Sequence, residues 1–503
     1  MASNTEGCST GLVRTGIEGL DDILGGGLTA NRLYLVEGDP GTGKTTFGLK
    51  FLLSGVACGE PAVYVTLSET KDELEAVAQS HGWSLEGLTV TELAPTEESL
   101  APEAENTMFH PSELELGETT KTILRDVHRV KPRRVVFDSL SEMRLIAQNS
   151  LRYRRQILAL KQFFVGQKCT VMLLDDRTSE VSDLQLQSLA HGVISLERRS
   201  PEYGVMQRRL QVLKMRGKPF RPGYHDYTII KGGLDVFPRL VAAEHNHEFA
   251  SAQVKSGLDG LDALMCGGLD RGTSTLLVGP AGSGKSTLAT QYAVAAAGRG
   301  ERAAFFLFDE GKTTLMARSA ALGLDLQGYL NSGRVSICQI DPGAISPGEF
   351  IHLVRREVDE GQATVVVIDS LNGYLNSMPE ARFLAIQLHE LLVYLGQKGV
   401  TTILVVAQHG LVGPMETPID ASYLADSVIL LRYFEAQGRV RQAISVLKKR
   451  SGAHERTIRE LEFRAGGVRI GEPLVAFHGV LSGIPSYVGQ TRFQRDGGAD
   501  EPV

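Results

Sequence analysis

The sequence predicts an α/β protein of two tandem domains, each a mostly parallel twisted sheet flanked by helices. Three observations carry that reading: an internal repeat, short β-branched runs alternating with helical patterns, and runs that are apolar throughout rather than at every second residue. Thr15-Gly-Ile-Glu-Gly-Leu-Asp21 returns as Ser256-Gly-Leu-Asp-Gly-Leu-Asp262, and Gly38-Asp-Pro-Gly-Thr-Gly-Lys-Thr45 returns as Gly279-Pro-Ala-Gly-Ser-Gly-Lys-Ser286. Gly16 and Gly257, Gly38 and Gly279, and Glu69 and Glu310 all stand 241 residues apart. The spacing falls to 231 between Asp138 and Asp369, because the first half carries extra residues around Ala94 to Glu118. That insertion is rich in Glu and Pro and reads as a solvated loop.

Composition narrows the function classes. The chain has 503 residues, enough for more than one core, with Lys+Arg 52 against Asp+Glu 59 and a net charge of −7. Charge of both signs spread along the chain argues against a dedicated electrostatic nucleic-acid binder. The 55 glycines exceed the usual share of about 7% and point to many tight turns or backbone-lined sites. Five cysteines, widely separated and never spaced as CxxC, suggest neither a disulfide framework nor a zinc site, and a reducing cytosol is expected. Met1 to Thr10 is polar without an apolar core, and no uninterrupted apolar stretch reaches 18 residues, so neither secretion nor membrane spanning is expected.

In the first half the strands are expected at Leu33-Tyr-Leu-Val-Glu37, Ala62-Val-Tyr-Val-Thr66, Arg134-Val-Val-Phe-Asp138 and Thr170-Val-Met-Leu-Leu174, with a helix from Thr45. The second half repeats them at Thr275-Leu-Leu-Val278, Ala303 to Phe308, Thr364 to Asp369 and Thr402 to Val406. Gly232 to Ser251 lacks periodicity, so the division runs 1–237 for the first domain, 238–252 for a linker, 253–484 for the second domain and 485–503 for a polar tail.

The chemistry sits at strand ends. Each GxxxxGK[ST] match lies between an expected strand and an expected helix, the context a phosphate-binding loop requires. Gly41, Thr42 and Gly43, with Gly282, Ser283 and Gly284, let backbone N–H groups converge on phosphate oxygens at a helix N-terminus. Lys44 and Lys285 reach the β- and γ-phosphates, Thr45 and Ser286 offer hydroxyls to Mg²⁺, and Thr46 and Thr287 complete the loops. Asp138 and Asp369, each after four apolar residues, supply the carboxylate that such a metal needs.

Glu69 and Glu310 are expected to close the next strand and to orient or deprotonate the attacking nucleophile. Asp309 precedes Glu310, whereas Ser68 holds the matching place in the first half, so a shared proton and a raised carboxylate are expected in the second half. Lys214-Met-Arg216 and Lys448-Lys-Arg450 each end a strand-like run 234 residues apart, and alternate strand residues share a face. Such cations suit the γ-phosphate of another subunit's nucleotide. His245-Asn-His247-Glu248 reads as hydrophilic linker, Arg152-Tyr-Arg-Arg155 as an exposed helix face, and Trp83 as packing.

The doubled order of Gly-Leu-Asp, phosphate loop, strand-end Glu, Asp-Ser and Leu-Lys-x-Arg resembles the KaiC family of RecA-like P-loop NTPases, from about Thr10 to Tyr487. The resemblance implies a two-tiered homo-hexamer with ATP at subunit interfaces, hydrolysis in the first tier and Ser/Thr autophosphorylation in the second. It implies that Glu310 with Asp309 activates an acceptor hydroxyl across the interface, and that Lys214, Arg216, Lys448 and Arg450 act on a neighbour's nucleotide. The family's adjacent Ser-Thr acceptors fall on Ser422 and Tyr423, so Ser422 is the expected phosphoacceptor and the tyrosine departs from the pattern. The expected cofactors are ATP and Mg²⁺, and the expected partners are further copies of the chain and signalling proteins, without membrane or nucleic acid. A RecA/DnaB-like DNA motor and a non-enzymatic ATP-held scaffold are the alternatives, since the fold permits all three.

Overall fold

The computed structural model describes residues 11–93, 123–147, 150–177, 184–200, 204–245, 248–376, 381–408, 423–464, 466–481 and 486–487. They fall into two units, one running to Arg239 and including Ser346–Glu349, the other beginning at Leu240.

Each unit is built on a nine-stranded sheet. In the first, the order is Leu88–Glu92, Ala62–Thr66, Arg134–Asp138, Thr170–Asp176, Leu33–Gly38, Gly192–Arg199, Gln207–Met215, Tyr224–Ile230 and Gly233–Phe237. The first six are parallel and the last three join antiparallel. The second sheet repeats this plan with Val335–Gln339, Ala303–Leu307, Val365–Asp369, Thr401–Ala407, Ser274–Gly279, Ser427–Ala436, Arg439–Lys449, Arg459–Arg464 and Gly467–Pro473.

The uniformly apolar runs follow from helices on both faces. Tyr34 and Val36 pack on the side of the helix Lys44–Ala57 with Phe47 and Phe51, whereas Leu33 and Leu35 face Tyr153, Ile157 and Phe164 of the helix Ser150–Gly166. Successive side chains thus serve two cores. Leu277 and Leu276, with Val278, split in the same way in the second unit.

The stretch read as linker is not all free chain. Leu240 and Ala242 are buried in the second unit's core, the 3-10 turn Ala242–Glu244 sits against Glu390, and the His245 ring meets Tyr394 edge-on at 5.1 Å. Trp83 packs as expected, stacked on His81 at 4.7 Å with the Lys50 ammonium 5.4 Å from its ring. Of the basic run, Arg152 and Arg155 are exposed and Tyr153 is buried. Among the described residues, no helix is long and apolar enough to cross a membrane.

Candidate functional site: two phosphate loops with unequal surroundings

Both GxxxxGK[ST] segments leave the C-terminal end of the strand at which neighbouring crossovers diverge, where doubly wound sheets open a crevice. Gly43 (φ 91°) and Gly284 (φ 98°) cap the helices Lys44–Ala57 and Lys285–Gly298 in the left-handed conformation, so the first helical N–H groups point into the loop. A Cβ on Gly43 would stand 2.7 Å from Ile229 Cδ1, and one on Gly284 would overlap the Phe463 ring. Tyr227 OH donates to Thr42 O at 2.7 Å from an antiparallel strand, and Tyr433 OH donates to Ala281 O at 3.2 Å from the strand beside the loop's own.

Beneath each loop lies a hydroxyl–carboxylate pair. Thr45 Oγ1 donates to Asp138 Oδ2 at 2.9 Å, and Tyr64 OH donates to the same oxygen at 2.5 Å. Burial raises the Asp138 carboxyl above its ordinary range, opposed by those two hydroxyls and by Lys44. Burial raises the Asp369 carboxyl in the same way, opposed first by the nearby Ser286 hydroxyl. A buried carboxylate joined to a hydroxyl is a hard-oxygen donor set, of the kind Mg²⁺ prefers.

Glu69 and Glu310, expected to activate the nucleophile, lie three residues beyond the strand ends at Thr66 and Leu307, not within the strands. Glu69 is held by its backbone, its N–H donating to Thr66 Oγ1 at 2.9 Å and its carbonyl accepting from that hydroxyl at 2.7 Å. Thr70 then caps the helix Lys71–Ser80 in a reciprocal box with Glu73. Glu69 Oε2 is buried and has no hydrogen-bond partner among the described residues. Burial, then the charges of Asp138, Glu73 and Asp176, push the Glu69 carboxyl up to about 7.

This corrects the expectation of a proton-sharing pair in the second half. Glu310 Oε1 accepts from Arg318 Nη1 at 2.5 Å, and Asp309 accepts from the Ser370 hydroxyl, so the adjacent carboxylates turn to different partners. In the first half Glu69 sits among other acids, without an ion pair among the described residues, and it is raised.

The lysines differ too. Lys44 Nζ donates to Gly38 O at 2.7 Å and Asp39 O at 3.1 Å and pairs with Asp176 Oδ1 at 2.7 Å. Lys285 Nζ donates to Pro280 O at 2.6 Å and has no carboxylate ion pair among the described residues; burial lowers it to about 8. Sequence reading missed Asp176, although Leu173-Leu174-Asp175-Asp176 has the same grammar of apolar strand ending in acid that pointed to Asp138.

The Lys-x-Arg pairs lie away from their own loops. Lys214 pairs in register with Val193, and Val193 with Leu35, three residues before Gly38; Lys448 pairs with Val428, and Val428 with Leu276, three residues before Gly279. At about 3.3 Å per residue, each pair is roughly 10 Å back along the sheet from the loop, near the opposite strand ends. There Lys214 donates to Gln187 O at 2.6 Å and Arg216 to Ser188 O at 2.7 Å, with Lys161 on Leu189 O at 2.6 Å. In the second unit Lys448 donates to Ala425 O at 2.7 Å and Arg450 to Tyr423 O at 2.9 Å. Tyr423 is exposed; Ser422 lies outside the described residues.

Two phosphate loops, each over a hydroxyl–carboxylate pair at the crevice end of a mostly parallel sheet, define a tandem P-loop nucleotide-binding protein. The family model described as "ATPase: KaiC" matches residues 13–241 and again 254–475, and the chain belongs to this KaiC family of ATPases. It is 27% identical over 492 residues to the circadian clock oscillator protein KaiC of Synechococcus elongatus, covering 97% of this chain and 94% of that one. It is 26% identical to KaiC of a Nostoc species, covering 96% and 94%, and 27% identical to the circadian clock protein KaiC3 of a Synechocystis species, covering 98% of each.

Proposed function

We propose that the chain binds Mg-ATP at Gly41–Thr46 and Gly282–Thr287, hydrolyses it in the first half and transfers phosphate to Ser422 in the second, as a hexameric signalling or timing switch. The carrying observation is the hydroxyl–carboxylate pair under each loop, Thr45 with Asp138 and Ser286 with Asp369. These four residues would hold Mg²⁺, which when bound neutralises charge on the phosphate oxygens. Lys44 and Lys285 bind the phosphates. Glu69, buried and without a proton donor of its own, is placed to take a proton from water or to orient it. In the second half Glu310 acts on the acceptor hydroxyl, with Arg318 holding its carboxylate in place and Asp309 fixed by Ser370.

The remoteness of Lys214, Arg216, Lys448 and Arg450 from their own loops supports a role at a neighbour's nucleotide. Lys448 and Arg450 also hold the carbonyls of the segment Tyr423–Asp426 that follows Ser422, so the acceptor and its cations would be offered together. The relatives named as circadian clock proteins support the timing reading. Intact-mass analysis after incubation with Mg-ATP tests it. One added phosphate per chain is expected in wild type and none in Ser422→Ala; an unchanged mass in both removes the kinase assignment. Turnover unmoved by single-stranded DNA separates this reading from a DNA motor.

A further inference from the structure

The proposed chemistry leaves Asp176 without a task. An ammonium has three N–H donors, and in Lys44 all three are spent, on Gly38 O, Asp39 O and Asp176 Oδ1. Asp176 is held from behind by Ser141 Oγ, which donates to its other carboxylate oxygen at 3.1 Å. It stands directly across from Gly38 in the strand register. At the same register position of the second unit, Gly279 faces Ala407, a side chain that can offer no anion.

Donor counting then separates the nucleotides. A diphosphate asks the lysine for one N–H, leaving two for a loop carbonyl and Asp176. A triphosphate asks for two, one for the β- and one for the γ-phosphate, so holding a loop carbonyl as well exhausts the ammonium. Asp176 then loses its cation and its negative charge faces the γ-phosphate. We propose that Asp176 is a specificity-determining residue of the first site, acting through Lys44 to favour ADP over ATP, and that Ala407 leaves the second site without this bias. The proposal rests on the reading of Lys44 and Lys285 as phosphate-binding lysines. Its consequence is that the first site holds its product, so that ADP release limits turnover there.

The test uses the full chain. Trp83 is the single tryptophan and sits beside Lys50 of the helix that begins at Lys44. Energy transfer from Trp83 to N-methylanthraniloyl-ADP reads the first site, and displacement by unlabelled ADP and by β,γ-imido-ATP gives the ratio of the two affinities. Asp176→Ala should move that ratio about tenfold towards the triphosphate, the scale of one charge-assisted hydrogen bond. Asp176→Asn, which keeps an acceptor oxygen without the charge, should move it in the same direction by less. In a Lys44→Ala chain, where the second site alone binds, Ala407→Asp should move the calorimetric ratio by a similar factor towards ADP.

Equal changes in both affinities for the Asp176 variants, or an unmoved second-site ratio in Ala407→Asp, would overturn the proposal while leaving the phosphate loops standing. Because Ala407→Asp is read at the second site and keeps Asp176 in place, it decides the matter even where Asp176→Ala does not fold. Failure of wild type to bind either nucleotide would overturn the reading of the loops, and this proposal with it.

Discussion

The two halves share one strand order and one phosphate loop, yet the charges around their loops are arranged differently. In the first, the lysine is saturated with acceptors while Glu69 is raised towards neutrality and its Oε2 has no hydrogen-bond partner among the described residues. In the second, the lysine has no carboxylate ion pair among the described residues, while Glu310 is clamped by Arg318. The cradle is set by backbone geometry and survives duplication, whereas the proton and charge balance is set by a few side chains on neighbouring strands and helices. Divergence of function needs only the latter.

The comparison is broken most forcefully at Glu69. Glu69→Gln is expected to lower turnover by about 10²–10³-fold through loss of a general base, whereas Glu310→Gln should show its loss in phosphate incorporation by mass. Equal falls in turnover for the two variants would erase the division of labour. Next in size are the glycines at the helix starts. Gly284→Ala forces a left-handed alanine against an aromatic ring and should cost about 2–4 kcal/mol, and Gly43→Ala, which meets only the tip of Ile229, about 1 kcal/mol less. Chemical denaturation of each variant measures the difference.

A smaller effect is expected from pH. With Glu69 near 7, its carboxylate is mostly protonated at pH 6, so first-site turnover should rise about tenfold from pH 6 to pH 8 and flatten in Glu69→Gln. The linkage has the opposite sense. Between about 4.5, the ordinary value, and 7 the folded chain keeps a proton that the unfolded chain has lost, so this group's contribution to stability falls as pH rises through that window. At the second site the sign concerns binding. Lys285 near 8 should take up a proton when it meets a polyphosphate, so calorimetry above pH 8 should show proton uptake from the buffer. The smallest expected effect lies beside Glu69, where Thr70→Ala removes a capping box and should cost about 1 kcal/mol of stability. The matching cap, Gly311, makes no side-chain bond to lose.

Most of the architecture was legible because it is written in local patterns. The apolar runs at Leu33, Ala62, Arg134 and Thr170 all became strands of one sheet, and the glycines at 43 and 284 took the positive φ that a phosphate loop requires. Less of the site was legible. Asp309 beside Glu310 looked like a coupled acid pair, and only the fold shows Arg318 and Ser370 separating them. Tyr64 on Asp138 and Asp176 on Lys44 join residues 74 and 132 positions apart, and no spacing rule along one chain reports such pairs. Strand register, once known, does report them, since it sets Asp176 across from Gly38 and Ala407 across from Gly279.

The displacement of each Lys-x-Arg pair to the far end of its sheet carries a consequence for assembly. Cations at one end of a sheet lie about 10 Å back from the phosphate loop at the other, and two copies facing each other symmetrically would match like with like. If these cations serve a neighbour's nucleotide, as proposed, the contact would be head to tail, a heterologous one that closes into a ring or grows without limit. Activity built this way depends on encounter as much as on chemistry, so dilution alone should silence it.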